Sequence, residues 1–331
     1  MNPLSFLYGL VTGARNRFYD RGIFKSHRLS RPVVSVGNIS VGGSGKTPFV
    51  IMLGELLQQR GIEFDVLSRG YRRETRGIMI VDPSGTSRQF GDEPLLIAQR
   101  LGCPVIVGES RYQAGKLAEA NSSPTNDHVA TAALGRPPGQ PPGPIHILDD
   151  GFQHRSLARD FDIVLLTEQD LKDRLLPAGR LREPLTSVRR ADAVVLTEEI
   201  DPNLFPVNKT LWHVRRTLAV PNHPKNPVAF CGIAHPRKFV EQLRNAGIQP
   251  IAEKFYRDHH QYTSHDVQDL LRLRDQTHAD AFITTEKDAI NLGTHLATIS
   301  PVIARVEMGL IDPAGVLDTI FRIITDRRAK A

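Results

Sequence analysis

The chain has few of the residues that build disulfide frameworks, zinc sites or nucleic-acid stacking surfaces. Its 331 residues include 2 cysteines, Cys103 and Cys231, which lie in apolar segments without a CxxC spacing. This usage suggests neither a disulfide framework nor a zinc site, and it best fits a reducing, cytoplasmic compartment. Aromatic residues make up 6% of the chain, which leaves little surface for base stacking, so we expect no nucleic-acid partner.

Long apolar runs are also missing. No stretch reaches the roughly 18 apolar residues of a membrane-spanning helix, and the first residues lack the apolar core and cleavage site of an export signal. The formal charge of +6 suits an anionic membrane surface or a phosphorylated substrate as well as nucleic acid. Charge alone does not choose among these partners.

The N-terminal segment, residues 1–28, is amphipathic and basic. Apolar side chains recur at helical spacing and three arginines follow them: Leu4, Leu7, Tyr8, Val11, Arg15, Arg17 and Arg21. One interpretation is an interfacial helix, with apolar residues at the acyl boundary and arginines at the headgroups of an anionic leaflet. The other is a helix packed on its own domain, and the pattern leaves both open.

Residues 32–50, PVVSVGNISVGGSGKTPFV, predict a buried strand, a glycine-rich turn and the start of a helix. Gly42, Gly43 and Gly45 lack Cβ atoms, so the backbone around Ser44 can fold tightly. Its N–H groups can then converge on phosphate oxygens at the helix N-terminus. This segment is therefore a candidate phosphate-binding loop.

The residues after the glycines strengthen this interpretation. Lys46 adds a positive charge, and Thr47 places a hydroxyl where a Mg²⁺ bridging the terminal phosphates of a nucleotide would lie, as in the motif GxxxxGK[ST]. Ser40 stands where the motif asks for a glycine. The entry to the loop must therefore do without a positive φ at that position, or use Gly37 instead.

Near-continuous apolar runs predict a parallel sheet that is covered on both faces. We therefore expect an α/β/α sandwich of the P-loop NTPase type over residues 29–207, followed by a smaller α/β domain over residues 208–331. Residues 121–144 are rich in Ser, Thr, Ala, Gly and Pro and are predicted to form a flexible insertion. The predicted strands are 64–67, 103–108, 145–150, 161–167, 192–197, 228–231, 281–285 and 302–306.

Charged residues follow several of these strands. Asp149 and Asp150 end a strand and are candidate Mg²⁺ ligands of the Walker B type, although an acidic pair can also cap a turn. The arginines of residues 68–73, SRGYRR, are candidate phosphate contacts or part of a solvated loop. Asp92 precedes a predicted helix over residues 94–101, and the pattern alone favours an N-cap.

Two polar segments of the second domain are less specific. His259 and His260 form a pair without a third ligand, which is not a metal site. Residues 284–288, TTEKD, end a strand and begin a helix, where acidic residues suit the first turn.

Several segments, taken in order, resemble one family, the tetraacyldisaccharide 4′-kinases. The matching segments cover nearly the whole chain, and this family also carries Ser where Ser40 stands. They are FYDRGIF, VGNISVGGSGKTP, SRGYRR, GDEPLLIA, ESRYQAG, ILDDGFQHR, DLKDRLLPAGRLREP, RRADAVVLT, DHHQYT and TTEKDA.

The resemblance implies an activity and a location. The family transfers the γ-phosphate of ATP, with Mg²⁺, to the 4′-hydroxyl of tetraacyldisaccharide 1-phosphate and forms lipid IVA. The implied position is peripheral, on the cytoplasmic face of the inner membrane, with the N-terminal helix as the contact to membrane and acyl chains. We expect a monomer.

The resemblance also implies roles for single residues. Lys46 and Thr47 match phosphate and Mg²⁺ contacts, and Asp149 and Asp150 match the acidic pair near the metal. Asp92 matches a general base supported by His259, which the second domain would supply as it closes over the cleft. Further positions that match residues around the phosphates are Arg111, Arg182 and Glu183. His260 replaces an aromatic residue often found there, so the sequence leaves open which histidine pairs with Asp92.

Two alternatives remain at this stage. One is a P-loop kinase or ligase with a soluble substrate, which would not need the N-terminal helix. The other is a switch ATPase or GTPase that regulates a partner protein. Against a GTPase, the chain has no NKxD signature, and TTEKD echoes it weakly.

Overall fold

The computed structural model describes residues 2–121, 143–197, 200–201 and 209–330, and these parts of the chain form a 12-stranded sheet with helices on both faces. The strands are β1 (Val33–Asn38), β2 (Phe64–Ser68), β3 (Met79–Ile80), β4 (Val105–Val107), β5 (Ile145–Asp149), β6 (Phe161–Leu166), β7 (Ala193–Thr197), β8 (Thr210–Ala219), β9 (Pro227–Cys231), β10 (Ala252–Phe255), β11 (Ala281–Thr285) and β12 (Val302–Leu310). Their order across the sheet is β10-β9-β11-β12-β8-β7-β6-β1-β5-β2-β4-β3.

The α-helices alternate with these strands along most of the chain. They are α1 (Pro3–Asp20), α2 (Lys46–Gln59), α3 (Ser87–Phe90), α4 (Asp92–Leu101), α5 (Arg111–Asn121), α6 (Glu168–Lys172), α7 (Pro236–Asn245), α8 (Ser264–Thr277), α9 (Glu286–Leu292), α10 (Leu296–Ile299) and α11 (Val316–Arg328). In the described parts of the chain, none of them is long and apolar enough to cross a bilayer.

The N-terminal half of the sheet is parallel from β4 to β8, with β1 between β5 and β6. All six residues of β1 are buried, because helices cover both faces. One face packs against α2, α4 and α11, and the other against α5. This arrangement confirms the predicted α/β class with a mostly parallel sheet. It also brings the carboxyl ends of β1, β2 and β5 to one edge.

The two halves of the sheet are joined through β12. Residues 302–304 of β12 pair in parallel with β11, whereas residues 305–310 pair antiparallel with β8. β8 in turn pairs in parallel with β7, so the sheet is continuous. α11 returns to the core of the N-terminal half, where Ile320 and Phe321 pack.

Some predictions differ from the structure or fall outside it. The sequence pattern predicts a last helix over residues 313–324, whereas α11 begins at Val316 and continues to Arg328, because Gly315 before it has a positive φ. The domain boundary at residues 207–208 and nearly all of the insertion at residues 121–144 lie outside the described residues. Both remain predictions.

Candidate active site

The phosphate-binding loop connects β1 to α2, as predicted. Gly45 forms the N-cap of α2 with φ of 88°, and Gly42 has φ of 115°, so both adopt conformations that favour glycine. Gly43 has no such φ, and a Cβ added there would meet nothing within 4 Å. The Ser44 hydroxyl accepts a hydrogen bond from Asn38 Nδ2 at 2.8 Å, which holds the turn against the end of β1.

The entry to the loop does not need a glycine at Ser40. The backbone there is extended and pairs with a second loop: Val41 N donates to Arg180 O at 2.8 Å, and Arg182 N donates to Ile39 O at 2.7 Å. This pairing explains how Ser40 is accommodated. It also places the Arg182 side chain beside the phosphate-binding loop.

Cations converge on Asp150 at the end of β5. Lys46 Nζ lies 3.5 Å from Asp150 Oδ1, and Arg182 donates two hydrogen bonds to the same carboxylate at 2.8 and 3.0 Å. Burial would raise the pKa of Asp150, but Lys46 and Arg182 outweigh it and lower the pKa below its usual range. Lys46 also donates a hydrogen bond to Asn38 Oδ1 at 3.3 Å. Lys46, Arg182, Asp150 and Asn38 therefore form one cluster of contacting side chains.

Asp149 has the properties expected of a cation ligand. It is buried, and its Oδ2 accepts a hydrogen bond from Ser68 Oγ at 3.0 Å. Its Oδ1 is also buried and has no hydrogen-bond partner among the described residues. Burial, Glu93 and Asp150 raise the pKa of Asp149 to about 6. A buried carboxylate oxygen without a partner fits a bound divalent cation.

Thr47, at the start of α2, is also buried. The described residues contain no cluster of three or more His, Cys, Asp or Glu side chains arranged for a metal. This is compatible with Mg²⁺, which is held by one or two carboxylates together with phosphate oxygens and water.

Asp92 and His259 come together from opposite halves of the chain. His259 Nδ1 lies 2.7 Å from Asp92 Oδ2. His259 follows β10 with φ of 59°, and its backbone N–H donates to Gly232 O at 2.9 Å. His260 instead places Nε2 3.0 Å from Asp266 Oδ2. The structure therefore identifies His259 as the histidine that contacts Asp92.

Asp92 is not the N-cap of its helix, contrary to what the pattern alone favours. α4 begins at Asp92 itself with Gly91 as N-cap, and Asp92 Oδ1 accepts a hydrogen bond from the backbone N–H of Glu93 at 2.9 Å. Burial would raise the pKa of Asp92, but the hydrogen bond from His259 and the charge of Lys287 lower it. The hydrogen bond to Asp92 raises the pKa of His259. The pair is therefore stabilised as carboxylate and imidazolium.

A cavity of about 440 Å³ opens beside this pair. Its lining comes from the loops after β2 and β10, from α3 and from the start of α4, and includes Tyr71, Arg72, Arg88, Asp92, Arg257 and His259. Arg72 closes one side by donating to Asp258 O at 2.8 Å. Tyr71 and Arg72 of the SRGYRR segment thus line this cavity, and phosphate binding by the arginines of the segment remains a prediction.

Arg111 and Glu183 are both buried, with different surroundings. Arg111 Nη1 donates to Gly108 O at 2.9 Å, and burial, with the nearby charge of Arg69, lowers its pKa to about 10. Glu183 accepts hydrogen bonds from Asn16, Gln153 and Arg190 at 2.7 to 3.2 Å. Its contacts are therefore to protein side chains, and direct phosphate binding by Glu183 remains a prediction.

The helix α1 is attached to the site by its polar side chains. Tyr8 Oη donates to Arg182 O at 3.1 Å, and Ser5 Oγ donates to Leu175 O at 3.0 Å. The apolar side chains face outward: Leu4, Phe6, Leu7, Leu10 and Val11 are each 54 to 61% exposed. One side of α1 thus packs on the protein, as one of the two interpretations expected, and the other side is an exposed apolar face. Contact of this face with a membrane remains a prediction.

Sequence reasoning missed two contributors to the site. Asn38 bonds to Ser44, Lys46 and Arg182 from the end of β1. Lys287 contacts Glu93, the neighbour of Asp92. The TTEKD segment held a signal for Lys287, because a lysine in the first turn of a helix is unexpected.

Comparison with known proteins finds similarity to one enzyme family over nearly the whole chain. A model of the tetraacyldisaccharide-1-P 4′-kinase family matches residues 1–324. The tetraacyldisaccharide 4′-kinase of Koribacter versatilis is 46% identical over 340 residues, covering 99% of this chain and 100% of the relative. The enzyme of the same name from Aquifex aeolicus is 38% identical over 308 residues, covering 88% of each.

A solved structure agrees with these sequence relatives. The crystal structure of LpxK from A. aeolicus in complex with ATP superposes with a TM-score of 0.77 at 35% identity, over 97% of this chain and 98% of that one. The resemblance inferred from the motifs is confirmed, and the chain belongs to the tetraacyldisaccharide-1-P 4′-kinase family.

Proposed function

We propose that the protein transfers the γ-phosphate of ATP to the 4′-hydroxyl of tetraacyldisaccharide 1-phosphate and so forms lipid IVA. The observation that carries this proposal is the contact between the buried Asp92 and the partly buried His259, with 2.7 Å between their nearest atoms, in a chain that also carries a phosphate-binding loop. Glu93, the next residue after Asp92, is close enough to Asp149 to raise its pKa. The candidate base is therefore within electrostatic reach of the candidate phosphate site.

The nucleotide phosphates would lie against the loop from Gly42 to Thr47. Its backbone N–H groups and the N-terminus of α2 attract phosphate oxygens, and Lys46 and Arg182 neutralise charge that develops during transfer. Their contacts with Asp150 hold both cations at the loop before ATP binds. Arg111 adds positive charge near Asp149 and Asp150.

Thr47, Asp149 and Asp150 would hold Mg²⁺, which would offset the negative charge of the nucleotide phosphates. The partnerless Asp149 Oδ1 supports this assignment.

Asp92 would accept the proton of the sugar hydroxyl as the phosphate is transferred. A hydroxyl is a weak nucleophile, and a carboxylate within hydrogen-bond reach removes its proton in the transition state. His259 orients that carboxylate through Nδ1 and favours its ionised form. The cavity beside the pair provides space for the acceptor sugar.

The acceptor would be presented at the cytoplasmic face of the inner membrane. The exposed apolar face of α1 supports this, since an exposed face of that size on a helix is typical of a membrane or partner contact. Tyr8 links α1 to Arg182, so a bilayer at α1 would lie close to the phosphate site. We propose that the enzyme acts as a peripheral monomer, with the chain after residue 208 closing over the cleft.

The direct test is transfer of labelled γ-phosphate from ATP to tetraacyldisaccharide 1-phosphate in detergent micelles. We expect labelled lipid from the parent and, for Asp92→Ala, a loss of about 10²- to 10⁴-fold, the usual contribution of a general base. Asp275→Ala removes an exposed carboxylate of α8 and should leave the rate unchanged.

Other outcomes identify the alternatives. ATP hydrolysis by the parent without labelled lipid would contradict the kinase assignment and favour a switch ATPase. Phosphorylation of a deacylated, soluble disaccharide at the same rate as the lipid would favour a kinase with a soluble substrate.

A further inference from the structure

The first turn of α9 contains a lysine where helix electrostatics disfavours one. Thr285 caps the helix, accepting a hydrogen bond from the backbone N–H of Asp288 at 3.2 Å. Glu286 and Asp288 suit the positive end of the helix dipole, but Lys287 between them does not. The helix dipole therefore does not explain why a lysine stands at position 287.

Lys287 instead forms an ion pair with a residue of α4, the helix that packs against α9. Lys287 Nζ lies 2.5 Å from Glu93 Oε1, and about a third of each side chain is exposed, 30% and 33%. Glu93 directly follows Asp92 in the first turn of α4. A single ion pair thus links the start of α9 to the turn that carries the candidate base.

A second ion pair joins the same two helices away from the site. Arg100, in the last turn of α4, contacts Glu286 at 2.6 Å and Glu55 at 3.5 Å. This pair holds α4 against α9 and α2 without contacting Asp92 or His259. It provides an internal comparison for the role of Lys287.

We propose that Lys287 is a positioning residue for the phosphate transfer. Its ion pair with Glu93 holds the first turn of α4, and with it the Asp92 carboxylate, against α9. The inference rests on the proposed function, because it assigns Lys287 to the same Asp92–His259 pair.

The charges around Asp92 support this role. His259 and Asp258 face it from the loop after β10, Lys287 and Asp288 from α9, and Glu93 from α4 itself. Asp149 lies beyond Glu93, at the end of β5. Lys287 and His259 are the cations in this set and the others are acids. Arg72, Arg88 and Arg257 line the cavity beside the pair, but Lys287 and His259 are the cations that lower the pKa of Asp92, so removing Lys287 takes away one of these two.

The test is the pH dependence of kcat for labelled phosphate transfer to tetraacyldisaccharide 1-phosphate. Without Lys287, Asp92 is protonated more readily, so the acid limb of the profile moves to higher pH. We therefore expect the acid limb of the kcat profile of Lys287→Met to lie at higher pH than that of the parent, with a loss of kcat that grows as the pH falls and is smallest at pH 8. Lys287→Arg keeps the charge and should keep the parent profile.

Arg100→Gln serves as the matched control, since it breaks an ion pair between the same two helices. It should change thermal stability without moving the acid limb. An unchanged acid limb in Lys287→Met would overturn the positioning role, and so would an equal shift in Arg100→Gln. If the parent itself transfers no phosphate to the lipid, the proposed function fails first, and the inference fails with it.

Discussion

Gly43 and Gly45, two residues of the phosphate-binding loop, differ in what the backbone requires of them. Gly45 has φ of 88°, and a Cβ there would lie 3.0 Å from Met308 Cε. We expect Gly45→Ala to lower the free energy of unfolding by about 1–2 kcal/mol, the cost of a left-handed conformation for a residue with a Cβ. Urea unfolding without nucleotide measures this change.

Gly43→Ala is the comparison, because a Cβ at Gly43 meets nothing within 4 Å. We expect its stability to stay within about 0.5 kcal/mol of the parent. A similar loss of stability in both variants would contradict the distinction.

The residues of the site could be predicted to different degrees. Gly42, Gly45, Lys46 and Thr47 are adjacent in the chain and form a recognisable local motif. The contact between Asp92 and His259 spans 167 positions, and no local pattern encodes it. Only the family resemblance suggested this contact, and the resemblance did not decide whether His259 or His260 pairs with Asp92. That choice depends on how the loop after β10 turns.

At the scale of elements, α1 presents the reverse of the usual amphipathic arrangement, with its polar side chains on the protein and its apolar side chains outward. We expect the double substitution Leu7→Glu and Val11→Glu to weaken binding to phosphatidylglycerol vesicles by at least about tenfold, because each apolar side chain contributes about 1.5–3 kcal/mol when buried. Vesicle co-sedimentation measures the change.

The control for α1 uses the same chemistry at a different surface. Ile251 and Ile311 are 50% and 53% exposed, and changing both to Glu alters the net charge equally. This variant should bind vesicles like the parent. Equal weakening in both variants would point to charge rather than to the apolar face of α1.

Strands made almost entirely of apolar residues were predicted well, whereas strands and helices that mix apolar and polar residues were not. β1, β2, β5, β6 and β7 are nearly continuous apolar runs, because both faces of the sheet are covered. In contrast, β8 alternates buried Trp212 and Val214 with exposed Arg215. α8 buries only Val267 and Leu270, so neither gave a clear signal.

At the scale of the molecule, Asp160 joins distant parts of the chain. Its buried carboxylate accepts hydrogen bonds from Arg28 Nη1, Val33 N and Arg328 Nη2, each at 2.9 Å. We expect Asp160→Ala to lower the free energy of unfolding by about 2 kcal/mol, because the buried N–H of Val33 loses its acceptor. Chemical denaturation followed by circular dichroism measures this change.

Asp318→Ala is the control for Asp160, because its ion pair with Arg60 is more than half exposed on both sides. Exposed pairs contribute little, so we expect a change below about 0.5 kcal/mol. If Asp160→Ala proved equally mild, α11 would not depend on this carboxylate for its attachment.

The division of β12 between two partners also restricts which changes in length the chain can accept during evolution. Its first residues follow the register of β11, and from Arg305 onward they follow that of β8. Adding or deleting one residue at this junction would shift the register on one side and turn Met308, which is buried beside Gly45, toward the opposite face. Homologues should therefore exchange side chains freely along the exposed positions of β12 while keeping its length constant.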